Sequence, residues 1–213
     1  MKTLTKEMQD AITPTQALKL LKDGNERFIN NLKVNRNLLA QANETSDGQH
    51  PFAVTLSCID SRTSVEIIFD QGLGDVFSVR IAGNVINEDI LGSMEFGCKV
   101  AGSKIIVVLG HTNCGAVKGA CDHVELGHLT GLLDKIQPAI NDEKSETKDR
   151  TSQNKNFVEK VTQINVKKTV EEIIEKSSIL KDMLEKGEIG IVGAVHDIQT
   201  GEVQFDKDCI FIK

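Results

Sequence analysis

The chain of 213 residues sets 25 basic against 31 acidic side chains, a net charge of −6, with lysines and glutamates interspersed along it. Nothing forms the basic stripe that a nucleic-acid phosphate surface needs, so a nucleic-acid partner is excluded. Hydrophobic residues make up 39% and aromatics only 4% (eight Phe, no Trp or Tyr), so the core must be built mostly from Ile, Val and Leu.

No apolar run approaches the ~20 residues of a membrane span. The opening "MKTLTKEMQDAITPTQALKLL" has neither an uninterrupted apolar stretch nor a small-residue cleavage site. No secretory leader, no membrane partner and a cytoplasmic location are expected. The five cysteines, 58, 98, 114, 121 and 209, are odd in number. In a reducing compartment that argues for metal binding or burial over a disulfide framework.

In chain order, "TPTQALKLLKDGNERFINNL" predicts a helix opened by Thr-Pro, with Gly24 as a candidate break. "KVNRNLLAQANETSDGQH" reads as a polar connector. "FAVTLSCID" predicts a short buried strand, "SVEIIFDQGLG" a helix stopped by Gly72 and Gly74, and "DVFSVRIAGN" a second strand ending at Gly83-Asn84. "NEDILGSMEFGCKVAG" predicts a helix that packs closely on a sheet. "KIIVVLGH" holds five consecutive apolar residues, Ile105 to Leu109, the mark of a strand buried on both faces in a parallel sheet. "GAVKGACDHV" begins another helix. Residues 141–156 contain no apolar residue and read as a solvated loop. "FVEKVTQINVKKTVEEIIEKSSILKDMLEKG" predicts a helix broken once and stopped at Gly187. "EIGIVGAVHDIQTGEVQFD" predicts a strand, a tight turn at Thr200-Gly201 and a second strand.

Strands alternating with helices predict an α/β fold, a mainly parallel β-sheet flanked by helices, with an N-terminal helical arm. The expected organisation is a single unit over 1–213, with arm and connector at 1–48 and an α/β core at 49–213. In such sheets ligands sit at the carboxyl ends of the strands.

Two predicted strand ends carry chemistry. "CIDSR" places Cys58, Asp60 and Arg62 within five residues. "GHTNCG" places His111 and Cys114 three residues apart after the buried strand. Each motif alone is a weak signal, but two strand ends of one sheet aim Cys58, His111 and Cys114 at the same rim. Two thiolates and one imidazole leave a fourth position for Asp60, water or substrate. Catalytic zinc sites use this arrangement of three protein ligands and one exchangeable position.

These motifs resemble those of the β-class carbonic anhydrases. "CIDSR" is similar to that family's Cys-x-Asp-Ser-Arg, and "GHTNCGAV" to its Gly-His-x-x-Cys-Gly. "RIAGN" resembles the segment between them, with Ile81 where the family often has Asn. "LKDGNERF" resembles the arm, and "GAVHDIQTGEVQF" the last strands. The resemblance implies one Zn²⁺ per chain on Cys58, His111 and Cys114, with Asp60 as a further ligand when it swings onto the metal. It implies an Asp60–Arg62 dyad that gates the site, and a zinc-dependent carbonate dehydratase that hydrates carbon dioxide to bicarbonate and a proton through zinc-bound hydroxide. It also implies a homodimer or a dimer of dimers, with the early helix wrapping the partner. Independently of the resemblance, Arg62 is a permanent planar cation suited to draw Asp60 into a bidentate pair and keep a third anion off the metal.

Some bacterial relatives carry a non-catalytic bicarbonate site made of Trp, Arg and Tyr. Thr55 and His196 stand at the Trp and Tyr positions and only Arg80 persists, so that site is expected to be absent. Cys98, Cys121 and Cys209 read as buried packing residues. His123 and His128 read as surface histidines, and His50 as loop. Two other functions share the residues: hydrolysis of carbonyl sulfide or carbon disulfide on the same scaffold, and a non-catalytic zinc-stabilised oligomerisation domain. The dyad, and the lack of an evident fourth Cys or His, argue against the latter.

Overall fold

The computed structural model describes residues 3–213, so the first two residues of the segment read as lacking a leader lie outside it. Five strands form one sheet: β1 Ala53–Ser57, β2 Val76–Arg80, β3 Ile105–His111, β4 Gly190–His196 and β5 Val203–Phe211. Their order is β2-β1-β3-β4-β5. The first four run parallel and β5 is antiparallel to β4. Every residue of β1 and β3 is buried, as a strand covered by helices on both faces requires.

The helices are α1 Lys6–Ala11, α2 Pro14–Ile29, α3 Leu38–Glu44, α4 Val65–Ile68, α5 Glu88–Glu95, α6 Gly115–Cys121, α7 Gly127–Leu133, α8 Gln137–Asp142, α9 Lys155–Lys176 and α10 Ser178–Glu185. Alternation along the strands splits the core into two layers. Val54, Leu56, Ile106 and Val108 pack with Met94, Val166, Val170 and Leu180 on one face. Ala53, Ile105, Val107 and Leu109 pack with Ala17, Leu18, Leu21, Ile68 and Phe69 on the other. A third cluster at the strand ends joins Cys58 and Cys114 to Val117, Ile136, Phe157 and Val161.

The mainly parallel α/β sheet is as expected, and four local readings change. Gly24 does not break α2. The helix runs through it because a Cβ there would lie 1.8 Å from the Phe69 carbonyl oxygen, so the arm presses backbone against backbone onto its own chain's core. The polar connector contains α3, capped by Asn37 Oδ1 accepting from Ala40 N (3.0 Å), with Gln41 buried and accepting from Leu73 N. The helix after "CIDSR" is only α4 and stops before Gly72. Asp70, at φ +45°, ends it and its carboxylate is held by Arg27 and Arg36.

The segment 141–156 is not simply solvated. Glu143 is 3% exposed and accepts from the Ser145 and Glu146 amides and from Arg150, whose guanidinium stacks 4.5 Å from the Phe157 ring centroid. Burial pushes the Glu143 carboxyl up. The bonds from Ser145, Glu146 and Arg150 outweigh it and hold the group down at about 2. A charged segment without apolar residues has wound itself around one of its own carboxylates, which composition cannot reveal. The long C-terminal helix breaks once, at Ser177, whose hydroxyl caps α10 by accepting from Leu180 N.

Candidate metal centre

β1 and β3 lie side by side in register, Ser57 opposite Leu109, so the residues that follow them emerge at one edge of the sheet. Cys58 follows β1, His111 closes β3, and Cys114 is the residue before α6. Their ligand atoms all lie within 4.8 Å of one another, and all three residues are buried. Among the described residues this is the group of Cys, His and carboxylate side chains arranged to hold a metal ion.

Each ligand is oriented from behind. His111 Nδ1 donates to the Thr112 carbonyl at 3.0 Å, which leaves Nε2 as the lone-pair nitrogen. That Nε2 is buried and has no hydrogen-bond partner, an unmet acceptor that a metal would satisfy. Thr112 is itself latched to the β4–β5 turn, its hydroxyl accepting from Ile198 N at 3.1 Å and its amide donating to the His196 carbonyl at 2.9 Å. The Cys58 and Cys114 sulfurs are 4.0 Å apart. A proton on Cys114 bonds to Cys58 and, with the Gly83 amide, lowers the Cys58 thiol against its burial, while Cys58 and burial drive Cys114 well above the ordinary thiol range. A metal held between the two sulfurs would displace their protons.

The dyad stands at the solvent side. Arg62 donates from Nε to Asp60 Oδ1 (2.9 Å), from Nη2 to Oδ2 (2.7 Å), and from its backbone amide to Oδ1 (2.9 Å). These bonds from Arg62 hold the Asp60 carboxyl well below the usual carboxylate range despite partial burial. Asp60 Oδ2 lies 3.9 Å from His111 Nε2, so the carboxylate sits beside the ligand trio while turned toward the arginine.

Three residues that sequence reasoning did not assign to the site support it. Arg80, at the end of β2, donates to the Cys58 carbonyl (3.0 Å) and the Asp60 carbonyl (2.6 Å), clamping the turn that carries ligand and dyad. Thr63, buried, donates from its hydroxyl to the same Asp60 carbonyl at 2.8 Å. Gly83 N–H donates to Cys58 Sγ at 3.4 Å. In the sequence Arg80 was weighed only for a bicarbonate site and Gly83-Asn84 only as a strand ending; the strand in fact stops at Arg80, and Ala82–Asn84 form a helical turn that brings the Gly83 amide to the sulfur.

Of the residues weighed in the sequence, Cys98, Cys121 and Cys209 are buried and apart from the metal cluster, and His123 and His128 are exposed. His196 is buried, its Nδ1 without a partner, and burial, with His111 nearby, pushes its pKa down to about 4. A cleft of about 470 Å³ adjoins the ligand turn through Thr112 and Asn113, but none of the three ligands lines it, so the chemistry is placed by the donor set and not by cavity size.

A mainly parallel α/β sheet carries at its strand ends a Cys-His-Cys cluster that could hold a metal ion, beside a bidentate Asp-Arg pair. The family described as carbonic anhydrase matches residues 53–203. "Carbonic anhydrase 2" of Mycobacterium tuberculosis is 36% identical over 194 residues, covering 88% of this chain and 90% of that protein. The carbonic anhydrase of Mycolicibacterium smegmatis is 36% identical over 198 residues, covering 90% and 92%. Among solved structures, a β-carbonic anhydrase of Aspergillus fumigatus superposes with a TM-score of 0.70 at 28% identity, covering 79% of this chain and 81% of that one. The chain belongs to the carbonic anhydrase family, and its fold is that of the β class.

Proposed function

We propose that the protein catalyses the reversible hydration of carbon dioxide to bicarbonate and a proton, with one Zn²⁺ held by Cys58, His111 and Cys114. The observation that carries this reading is the trio itself: three buried ligand atoms within 4.8 Å, one of them an orphaned imidazole nitrogen, with a carboxylate held back beside them. Two sulfurs and one nitrogen suit zinc, and a structural site would be closed by a fourth protein ligand. When bound, the metal supplies the Lewis acidity that makes water a nucleophile at neutral pH.

The chain's own groups do the rest. Asp60, kept ionised by Arg62, accepts a hydrogen bond from the attacking water or hydroxide and orients its lone pair toward the carbon of the substrate, while the proton leaves to buffer. Arg62 prevents the carboxylate from becoming a fourth ligand. Arg80 and Thr63 hold the turn so that both roles keep their geometry.

The assembly is proposed to be a homodimer or a dimer of dimers. β2, paired with β1 on one side, is an edge strand of the sheet among the described residues, and with α5 it lines an open groove containing Phe77, Val79 and Phe96, the last 54% exposed. A structural relative from Sordaria macrospora is described as tetrameric. Light scattering on the purified protein tests this.

The activity is tested by metal analysis together with stopped-flow carbon dioxide hydration. One zinc per chain with rapid hydration supports the proposal. One zinc per chain with no hydration at any pH up to about 9 overturns it.

A further inference from the structure

Three polar residues of α9, Thr162, Asn165 and Thr169, are buried along its packed face. The two threonines satisfy themselves locally, donating to the Val158 carbonyl (2.9 Å) and the Asn165 carbonyl (2.8 Å) of their own helix. Asn165 does not. Its Nδ2, on a residue 3% exposed, donates at 2.9 Å to the carbonyl of Gly83, 82 positions away in the chain.

Gly83 is in an unusual position. Its φ is +68°, and a Cβ there would meet Ile136 Cδ1 at 2.8 Å and Ala116 Cβ at 3.3 Å. The backbone is threaded between α6 and the turn at Asp134–Ile136, where only glycine adopts this conformation without strain. Its carbonyl is gripped by Asn165 and its amide points at Cys58 Sγ, 3.4 Å away. A buried amide on a helix that supplies none of the three ligand atoms therefore holds the residue that hydrogen-bonds the Cys58 sulfur.

We propose that Asn165 is a positioning residue for the metal centre: it fixes Gly83 so that the Gly83 N–H donates to Cys58 Sγ and withdraws electron density from that ligand. This rests on the reading of Cys58, His111 and Cys114 as metal ligands. The Asn165 amide touches neither substrate nor metal. It acts through one backbone residue, in the way that groups behind the ligands tune metal sites elsewhere.

The test uses the full chain loaded with Co²⁺ or ¹¹³Cd²⁺. In the wild type, scalar coupling between the Gly83 amide proton and ¹¹³Cd through the Cys58 sulfur is expected. Asn165→Leu should abolish it, move the sulfur-to-cobalt charge-transfer band to longer wavelength, and weaken metal affinity about tenfold in a chelator competition. Thr169→Val, equally buried on the same helix, should leave coupling and band unchanged, which separates positioning from general packing. If Asn165→Leu does not fold, Asn165→Ala, which removes the same donor without adding an apolar branch, is read in its place, and an unchanged coupling and band in it overturn the inference. No coupling at Gly83 in a protein that shows the charge-transfer band overturns this inference alone. Absence of the band in the wild type overturns the metal-site reading, and this inference with it. An unshifted band in a folded Asn165→Leu also overturns it.

Discussion

Asp60→Asn is the substitution that most directly probes the centre. The carboxylate accepts three donors from Arg62, two at Oδ1 and one at Oδ2. An amide keeps one acceptor and turns the other into a donor. With oxygen at the Oδ1 position, the new NH₂ faces Arg62 Nη2 across 2.7 Å, donor against donor. Flipped, it faces the Arg62 amide and Nε, each 2.9 Å away. Neither orientation preserves the pair, so the carboxylate that orients the attacking water is lost. Misplacing the attacking group costs about 100-fold in rate. The three ligands are untouched, so zinc content should stay at one per chain while kcat/KM for carbon dioxide, read by stopped flow, falls about 100-fold. A variant that retains one zinc and hydrates carbon dioxide within about threefold of wild type would refute the role given to Asp60.

Four other outcomes follow from the same geometry. Because Arg62 keeps Asp60 ionised far into acid, the rate should rise between about pH 6 and 9 with the proton of the attacking water and not with Asp60; a flat stopped-flow profile over that range contradicts the mechanism. Gly24→Ala places a Cβ 1.8 Å from the Phe69 carbonyl and pulls Asn25 from its bonds to the Ile68 and Gly201 carbonyls, so urea unfolding should show a loss of about 3 kcal/mol or more, and a loss below about 1 would show that the arm is loosely docked. Glu143→Ala should cost about 2 kcal/mol at pH 7. The carboxyl is depressed to about 2 from 4.5, so its contribution is fully present above about 4.5 and fades as pH falls toward 2; urea midpoints of wild type and variant should converge over that window, and parallel curves would contradict it. Burial holds Cys98 up at about 12 and Cys121 and Cys209 at about 11, so iodoacetamide followed by peptide mass mapping at neutral pH should leave these three unmodified in the native protein, whereas alkylation of any of them at the rate of the unfolded chain would show that its site opens.

The sequence alone determined the mainly parallel core and pointed to the cluster of Cys58, His111 and Cys114. Ile105 to Leu109 is too uniformly apolar for anything but a strand covered on both faces, and such a strand must deliver His111 to the sheet's carboxyl edge. Cys58 follows its own strand by the same logic, and Arg62 lies within two residues of Asp60, so the cluster and the Asp60–Arg62 ion pair were legible from local spacing.

What the sequence could not show is whatever depends on two distant segments touching. Gly24 looks like a helix breaker until Phe69 lies against it, and residues 141–156 look solvated until Glu143 is buried beneath Arg150. The link that bears on the site runs from Asn165 to Gly83 to Cys58. A single asparagine in an amphipathic helix has no local signature, because its hydrogen-bond partner is a backbone carbonyl, and a carbonyl is the same at every residue. Only the tertiary fold, by closing 82 residues of chain into one 2.9 Å contact, decides which carbonyl it meets.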